Sequence, residues 1–542
     1  MPGHHAMSNE SYDYIIVGSG SGGAALADAL VEDGRYSVLL LESGADDRWI
    51  WTRIPAGVFY LLRGDRALSR FFTEPEPNMN RRNIFWPRGH VVGGSSTVNG
   101  MIWVHGDPAE FDHWRDAFGL PGWGFDDLAP LFRRLETYAP GNPAHRGTDG
   151  PVTITEFSPH APLMDAFIEA CVTTGIPATA DYNAGGYEGV GYLQFNTKRG
   201  WRQGTRETFL KRAQRSPKLR MLTGAHVGRV TFDGRQATGV VYTRHGQTCT
   251  VAARKEVILC AGAVQTPQIM ELSGIGQAAR LKAHGVDVVH DLPGVGENAH
   301  DHLHTRLSYR CRDAVTLNQI MRNPIRKGLM AARFALLGNG LMSCSGQISH
   351  ALLKSSAELP QPDIKIQLHW LSSPDARDPK SLVLDDHPGI SIGTFPLRPK
   401  SRGSVHIRSA DPMESPAISA NYLAHPDDVA TTLAAIRIAR DVAAQPALQR
   451  FGVEEMRPGP EMETDKDLLD FVRQSAQTSY HPVGTCRMGT DPDAVVGPDL
   501  KVRGVENLRI ADASVFPTMC SANTNAASMA VGLKAAEVLL QS

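Results

Sequence analysis

Two stretches of this 542-residue chain combine side chains and spacings that do chemistry. One is Ser479 to Gly489, SYHPVGTCRMG, in which His481 precedes Pro482 and Gly484, residues that hold an irregular turn and present the ring. Imidazole has an unperturbed pKa suited to taking a proton near neutrality, so His481 is a candidate general base. Residue type alone favours the plainer reading, a hydrogen-bonded core histidine. The other stretch is Gly18-Ser19-Gly20-Ser21-Gly22-Gly23, where Gly18, Gly20 and Gly23 satisfy G-x-G-x-x-G. Glu42 follows at the roughly 20-residue interval of a dinucleotide fingerprint. Gly18 permits a tight turn, Gly20 lets bare backbone approach a pyrophosphate, and Gly23 lets a helix pack closely on a strand. With Ser21, Gly22 and Ser43 beside them, these residues form a candidate dinucleotide site, Glu42 accepting from the adenosine ribose. The residues themselves leave NAD and FAD equally open.

The elements that must hold these residues are legible too. Tyr14-Ile15-Ile16-Val17 is the β-branched run of a buried parallel strand, Ala24 to Leu30 an alanine-rich helix, and Ser37 to Leu41 the returning strand. The N-terminus of that helix offers unpaired N–H groups to phosphates. Gly93, Gly94, Ser95 and Ser96, ahead of Asn99-Gly100-Met101, allow close backbone approach to a ligand. Leu219 to Leu222 and Glu256 to Cys260 read as strands, the latter running into Ala261-Gly262, while Val230–Tyr242 and Thr248–Ala252 alternate as a hairpin pair. Helices are expected behind Asp126 as N-cap and over Pro162–Thr174, Pro267–Leu272 and Asp427–Ala444, the last with Thr431, Ala434, Ala435 and Ile438 on one side. Ile364–Trp370, Ile390–Leu397 and Gly403–Ile407 read as strands, so this region mixes an antiparallel sheet with helices on one face. Asp46 to Phe85, rich in aromatics, Pro and Gly, reads as irregular structure that either covers a ligand or packs at the surface.

Composition sets the outer limits. The 55 basic and 57 acidic residues nearly cancel, and no long basic run occurs, so nucleic acid is not an expected partner. No stretch approaches the roughly 18 apolar residues of a membrane span, and no charged-then-apolar leader opens the sequence, so a cytoplasmic location is expected. Met1 to Ala6, MPGHHA, reads as a remnant outside the fold. Seven cysteines without a C-x-x-C pair predict reduced thiols, not disulfides or zinc. His290, His300, His302 and His304 lie close in sequence, but their spacing disperses them on a strand or a helix, and no metal is expected.

From Gly93 onward the chain resembles the glucose–methanol–choline (GMC) oxidoreductases, a family of FAD enzymes. Gly93 to Asn99, with Trp103 and Gly106, matches the first family signature; Gly262 to Gly276, GAVQTPQIMELSGIG, matches the second at every specified position. HPVGTCRMG matches the catalytic-histidine segment, and Asn525 aligns with the second active-site residue, which is His or Asn in the family. Matched motifs at residues 14–44, 87–106, 262–276, 479–489 and 508–536 spread the resemblance over the whole chain.

The resemblance implies an α/β fold: a discontinuous Rossmann-like FAD-binding domain (8–155, 205–305 and 480–542) and an α+β substrate-binding domain with an antiparallel sheet (156–204 and 306–479). It carries cofactor contacts onto Arg88, Gly93, Gly94, Ser96, Asn99, Gly100, Met101 and Ile102, and onto Val227 through its backbone. Ala261, Gly262, Tyr480, Asp512, Ala513, Thr524 and Asn525 complete that set. Val98 stands where some relatives attach the flavin through a histidine, which implies non-covalent FAD. Ile348 stands where choline-type relatives carry a glutamate, with Gln347 and His350 as candidate substrate contacts. The implied activity is oxidation of a neutral primary or secondary alcohol to its carbonyl, with hydride passing to flavin N5. His481 takes the hydroxyl proton and Asn525 holds the oxygen. O₂ or a quinone would reoxidise the flavin. The alternative implied by the same superfamily is an FAD-containing lyase or photodecarboxylase.

Overall fold

The computed structural model describes residues 6–374 and 383–541. Strand β1 (Ala6–Val17), helix α1 (Ser21–Asp33) and strand β2 (Val38–Glu42) form the expected unit, the strands pairing in parallel from Tyr14 with Val38 to Val17 with Leu41. The chain leaves for a second sheet with β3 (Gly189–Tyr192) and returns with β4 (Leu219–Thr223), β5 (Ala225–Asp233), β6 (Gln236–Arg244) and β7 (Gln247–Leu259), followed by α2 (Gly262–Leu272). It then builds most of the second sheet from β8 (Leu303–Arg310), β9 (Gln347–Leu353), β10 (Ile364–His369) and β11 (Gly389–Pro396). Helix α3 (Pro426–Ala443), β12 (Glu454–Arg457) and β13 (Gln477–Thr478) follow, and β14 (Leu508–Ile510) and α4 (Asn525–Gln541) end the chain in the first sheet's layer.

The first sheet has the order β4-β2-β1-β7-β6-β5, with β14 also on β7. Its centre is parallel, and β5, β6 and β7 add an antiparallel meander. The second sheet, β12-β8-β11-β10-β9-β3 with β13 also on β8, is antiparallel throughout. Ile15, Ile16, Leu39 and Leu40 are fully buried, as expected where helices cover both faces of parallel strands. Truncating any one to alanine costs about 2–5 kcal/mol.

Helices α1 and α4 cross in close contact over this sheet. A Cβ on Gly532 would lie 2.2 Å from the Gly22 carbonyl oxygen, so only glycine fits the crossing. A Cβ on Gly23 would lie 2.0 Å from the Gly18 oxygen, which is the tight helix–strand packing read from the fingerprint.

Several elements differ from the sequence reading. Strand β1 begins at Ala6, which pairs with Cys249, so Ala6 belongs to the sheet and Met1 to His5 lie outside the described residues. The segments Thr248–Ala252 and Glu256–Cys260 are one strand, β7, and the polar run between them sits at a register shift against β1, where Arg254 Nε donates to Asp13. Val230–Tyr242 contains the turn between β5 and β6. Helix α2 starts at Gly262, five residues before Pro267, and the helix after Gly124 takes that glycine as N-cap in place of Asp126. The buried face of α3 runs through Thr432, Leu433, Ala435, Ile436, Ala439 and Val442. Ser404–His406 pairs with Ala417–Ser419 in a two-stranded sheet of its own, apart from the large sheet.

Candidate active site

At the end of β1, Gly18 takes φ +102°, and the chain turns straight into α1 behind Gly20, which caps it without a side-chain hydrogen bond. The first N–H groups of α1 thus point out of the helix at a long cleft, lined on this side by Gly18, Gly20, Ser21 and Gly22. Glu42, at the end of β2, lines the same cleft. Its carboxylate is held in place by Ser19 N (3.0 Å), Ser19 Oγ (2.6 Å) and Gly44 N (2.7 Å). Ser43, Val227, Ala261 and Gly262 continue this wall. Asp512 accepts from Gly262 N (2.8 Å) and Thr266 Oγ1 (2.6 Å), fixing the turn into α2, and burial pushes its pKa up.

These residues fit a dinucleotide. Cβ atoms built on Gly20 and Gly262 meet nothing within 4 Å, so the backbone there faces open space wide enough for a ligand to touch it. Among the described residues the buried Asn525 Nδ2 has no partner of its own.

Midway along, Arg88, Gly94, Asn99, Gly100, Met101, Ile102, Val98 and Tyr480 line the cleft. Arg88 Nη2 donates to the Tyr480 carbonyl (2.8 Å). Three predicted cofactor residues stand behind the wall instead. Gly23 packs on Gly18, Gly93 N donates to Ser19 Oγ (3.0 Å), and Ser96 Oγ donates to Gly93 O (2.7 Å) while contacting Thr205. They shape the loop that others present.

His481 sits at the far end, on the turn after β13. Its backbone N–H donates to Asp301 Oδ1 (2.8 Å), and Asp301 Oδ2 accepts from Tyr422 (2.5 Å) and Thr478. Its ring Nδ1 lies 3.0 Å from His302 Nδ1, and His302 Nε2 lies 3.0 Å from the Leu397 carbonyl oxygen. A carbonyl only accepts, so His302 carries its proton on Nε2 and its Nδ1 is bare. His481 must then donate from Nδ1, which leaves Nε2 unprotonated and able only to accept. That Nε2 meets Asn523 Nδ2 at 3.0 Å, and Asn523 Oδ1 accepts from Lys365 Nζ at 2.9 Å. The lysine thereby orients the amide. Burial holds both imidazoles neutral: His302 is pushed down to about 3, and His481 falls well below its usual value, with His302 and Lys365 adding to the effect. Burial likewise lowers Lys365 to about 7.

Asn525 is not beside His481. As the first residue of α4 it accepts from Ser21 Oγ (2.7 Å), at the phosphate end, and the asparagine on the histidine is Asn523. Both asparagines are visible in SANTNAAS, but only the start of the helix decides which side chain faces which way. Ile348 is fully buried core, and His350 packs edge-on against Tyr182 at 4.4 Å; neither lines the cleft, whereas Gln347 does. Arg306, Gln367 and Phe395 line it with no sequence signal of their own, and so does His304, one of the four neighbouring histidines. His302 drew notice only as one of four neighbouring histidines, and nothing in the sequence ties it to a residue 179 positions away. Among the described residues no helix is long and apolar enough to cross a membrane.

Two family models of GMC oxidoreductases match the chain, at residues 12–304 and 399–532. The chain is a GMC oxidoreductase. It is similar to the oxygen-dependent choline dehydrogenase of Photobacterium profundum, 39% identical over 536 residues covering 98% of this chain and 93% of the relative. Among solved structures it is similar to pyridoxine 4-oxidase from Mesorbium loti (TM-score 0.88, 29% identity, 98% of this chain and 99% of that one). A formate oxidase variant from Aspergillus oryzae superposes with TM-score 0.90 at 26% identity over 98% of each chain. This GMC oxidoreductase is an FAD-dependent alcohol oxidoreductase, with the α/β cofactor fold and antiparallel second sheet of its family.

Proposed function

We propose that the enzyme oxidises a primary or secondary alcohol to its carbonyl, with His481 as the base for the hydroxyl proton. One observation carries this reading: the chain from Leu397 O through His302 leaves Nε2 of His481 unprotonated, an acceptor that meets the Asn523 amide N–H and could take a proton. Bound FAD supplies the hydride acceptor, N5 of its ring system. Removal of the hydroxyl proton by His481 makes the carbinol hydride easier to lose, and Asn523 Nδ2 donates to the oxygen as its charge develops. The Lys365 hydrogen bond keeps that donor aimed. Asn525, at the N-terminus of α4 beside Ser21, serves the cofactor's phosphate end. With no histidine at Val98 the FAD is held without a covalent bond.

The cleft does not favour a cationic alcohol. Its lining carboxylates are Glu42 and Asp512, both already engaged at the cofactor side, and Asp301, behind His481, is spent on Tyr422, Thr478 and the His481 N–H, so among the described residues a quaternary ammonium would find no free acid in the cleft. Residues 8–155, 205–305 and 480–542 are assigned to the FAD-binding domain, and 156–204 and 306–479 to the substrate-binding domain. O₂ or a quinone reoxidises the flavin.

Anaerobic mixing of the holoenzyme with a panel of alcohols tests the reading. A competent alcohol bleaches the flavin, its carbinol-deuterated form bleaches it more slowly, and admitting air shows whether O₂ restores the colour. No bleaching by any alcohol in the panel would overturn it.

A further inference from the structure

Arg306 is a cation that the fold leaves without a counter-charge. It lies on β8 two residues beyond His304, and the alternation of a strand turns both toward the cleft, which both line. Among the described residues no side chain or carbonyl accepts from its guanidinium, and its Nε is buried without a partner. Burial lowers its pKa, and the one group opposing that is the Tyr480 phenol, not a carboxylate. Two other buried arginines meet acids, Arg146 at Glu136 (2.6 Å) and Asp181 (2.7 Å) and Arg509 at Glu256 (2.6 Å), while the buried Arg202, which also has unpartnered guanidinium nitrogens, does not line the cleft. The other charged residues of the cleft are engaged, Glu42 by Ser19 and Gly44, Asp512 by Gly262 and Thr266, and Arg88 by the Pro87 and Tyr480 carbonyls, while Ser345, Gln347, Gln367 and Gln477 add neutral donors and acceptors.

A partly buried guanidinium without a counter-charge is costly, and one facing a ligand cleft is matched by a ligand that brings the missing charge. We propose that Arg306 receives a carboxylate on the substrate, so that the alcohol oxidised at His481 is a hydroxyl-bearing carboxylic acid. This rests on the alcohol-oxidising reading of the same cleft and narrows its substrate class. The planar fork of the guanidinium matches a carboxylate through two parallel hydrogen bonds. A monoanion suits the site better than a phosphate dianion, because the histidines beside Arg306 add no charge: burial, helped by Arg306 itself, holds His304 and His369 neutral. Lys365 is already committed to Asn523.

The test compares acids with their own methyl esters on the holoenzyme: 2-, 3- and 4-(hydroxymethyl)benzoate and glycolate. For at least one pair, kcat/KM should favour the acid by about 10- to 100-fold, the worth of a charge-assisted pair. Arg306→Gln should bring that ratio close to unity, and Arg306→Lys should restore part of it. A ratio near or below one in every wild-type pair would overturn the proposal, as would a ratio unchanged by Arg306→Gln. An equal fall for acid and ester, with an altered flavin spectrum, would assign Arg306 to the cofactor and also overturn it. Binding is read separately by titrating oxidised holoenzyme with benzoate and following flavin absorbance. Arg306→Gln should weaken that titration, and a benzoate response equal in both proteins, or absent from both, counts against the proposal. Failure of every alcohol to bleach the flavin, with benzoate still bound through Arg306, would instead overturn the alcohol-oxidising reading alone.

Discussion

Asn523 Nδ2 lies 3.0 Å from His481 Nε2, while Asn525, two residues on, is tied to Ser21 Oγ at 2.7 Å. The two asparagines therefore serve opposite ends of the cleft, and their variants should fail differently. Asn523→Ala should slow anaerobic flavin reduction roughly 10²–10³-fold with FAD retained, the usual cost of a lost oxyanion donor. Asn525→Ala should instead lose FAD more readily on dialysis. His481→Ala should slow reduction by about 10²–10⁴-fold. Flavin absorbance after gel filtration, followed by stopped-flow bleaching, separates the outcomes; slow reduction in Asn525→Ala alone would restore it as the catalytic amide.

His302 fixes the tautomer of its neighbour, because its Nε2–H is spent on Leu397 O. His302→Phe keeps the aromatic packing on Phe395, whose ring lies 4.8 Å from the imidazole, but removes the acceptor for His481 Nδ1–H. The expected result is bound FAD, a near-normal melting temperature and flavin reduction slowed on the order of 10²-fold or more, since a wrong tautomer is severe in comparable catalytic pairs.

Lys365 is buried, and among the described residues its hydrogen bond goes to Asn523. Lys365→Met should slow flavin reduction about tenfold, the worth of one orienting hydrogen bond, while leaving the fold as stable or more so, because a desolvated amine is removed. In the wild-type enzyme the lysine loses its proton through about pH 7. The bleaching rate should therefore fall as pH rises through that value, and the fall should be missing in Lys365→Met.

Val98 lines the cleft, and a valine side chain has no atom that could bond a flavin. Acid precipitation should leave the yellow chromophore in the supernatant, and the intact chain should have the mass of the polypeptide alone. Colour in the pellet would show another attachment point.

Burial holds His300, His302, His304, His350, His369 and His481 below their ordinary pKa. Folded, they stay neutral where the unfolded chain takes up protons, so their contribution is complete above about pH 6.5 and is lost as pH falls below it. Each adds a slope of up to about 1.4 kcal/mol per pH unit, while buried carboxylates such as Asp301 and Asp512, raised by burial, act in the opposite sense. Urea midpoints should fall steeply from pH 6.5 to 5. A flat profile would mean that these rings are hydrated in solution.

The sequence by itself determined the local parts. The glycines and the β-branched run at Tyr14 to Gly23 specify a strand, a turn and a helix because each depends on backbone conformation within a few residues, and β1, the turn and α1 follow them. His481 stood out for the same reason, set in a Pro- and Gly-bound turn. Tertiary structure decided what short-range pattern does not encode: that His302 approaches His481 from the residue just before β8, on which β13 pairs, that the start of α4 turns Asn525 to Ser21 and leaves Asn523 on His481, and that Ile348 points into the core while His304 and Arg306 face the cleft. A one-residue change of strand face or a two-residue change at a helix start reverses such assignments. Facing is fixed by which sheet and helix the segment packs against, and those contacts come from residues hundreds of positions away.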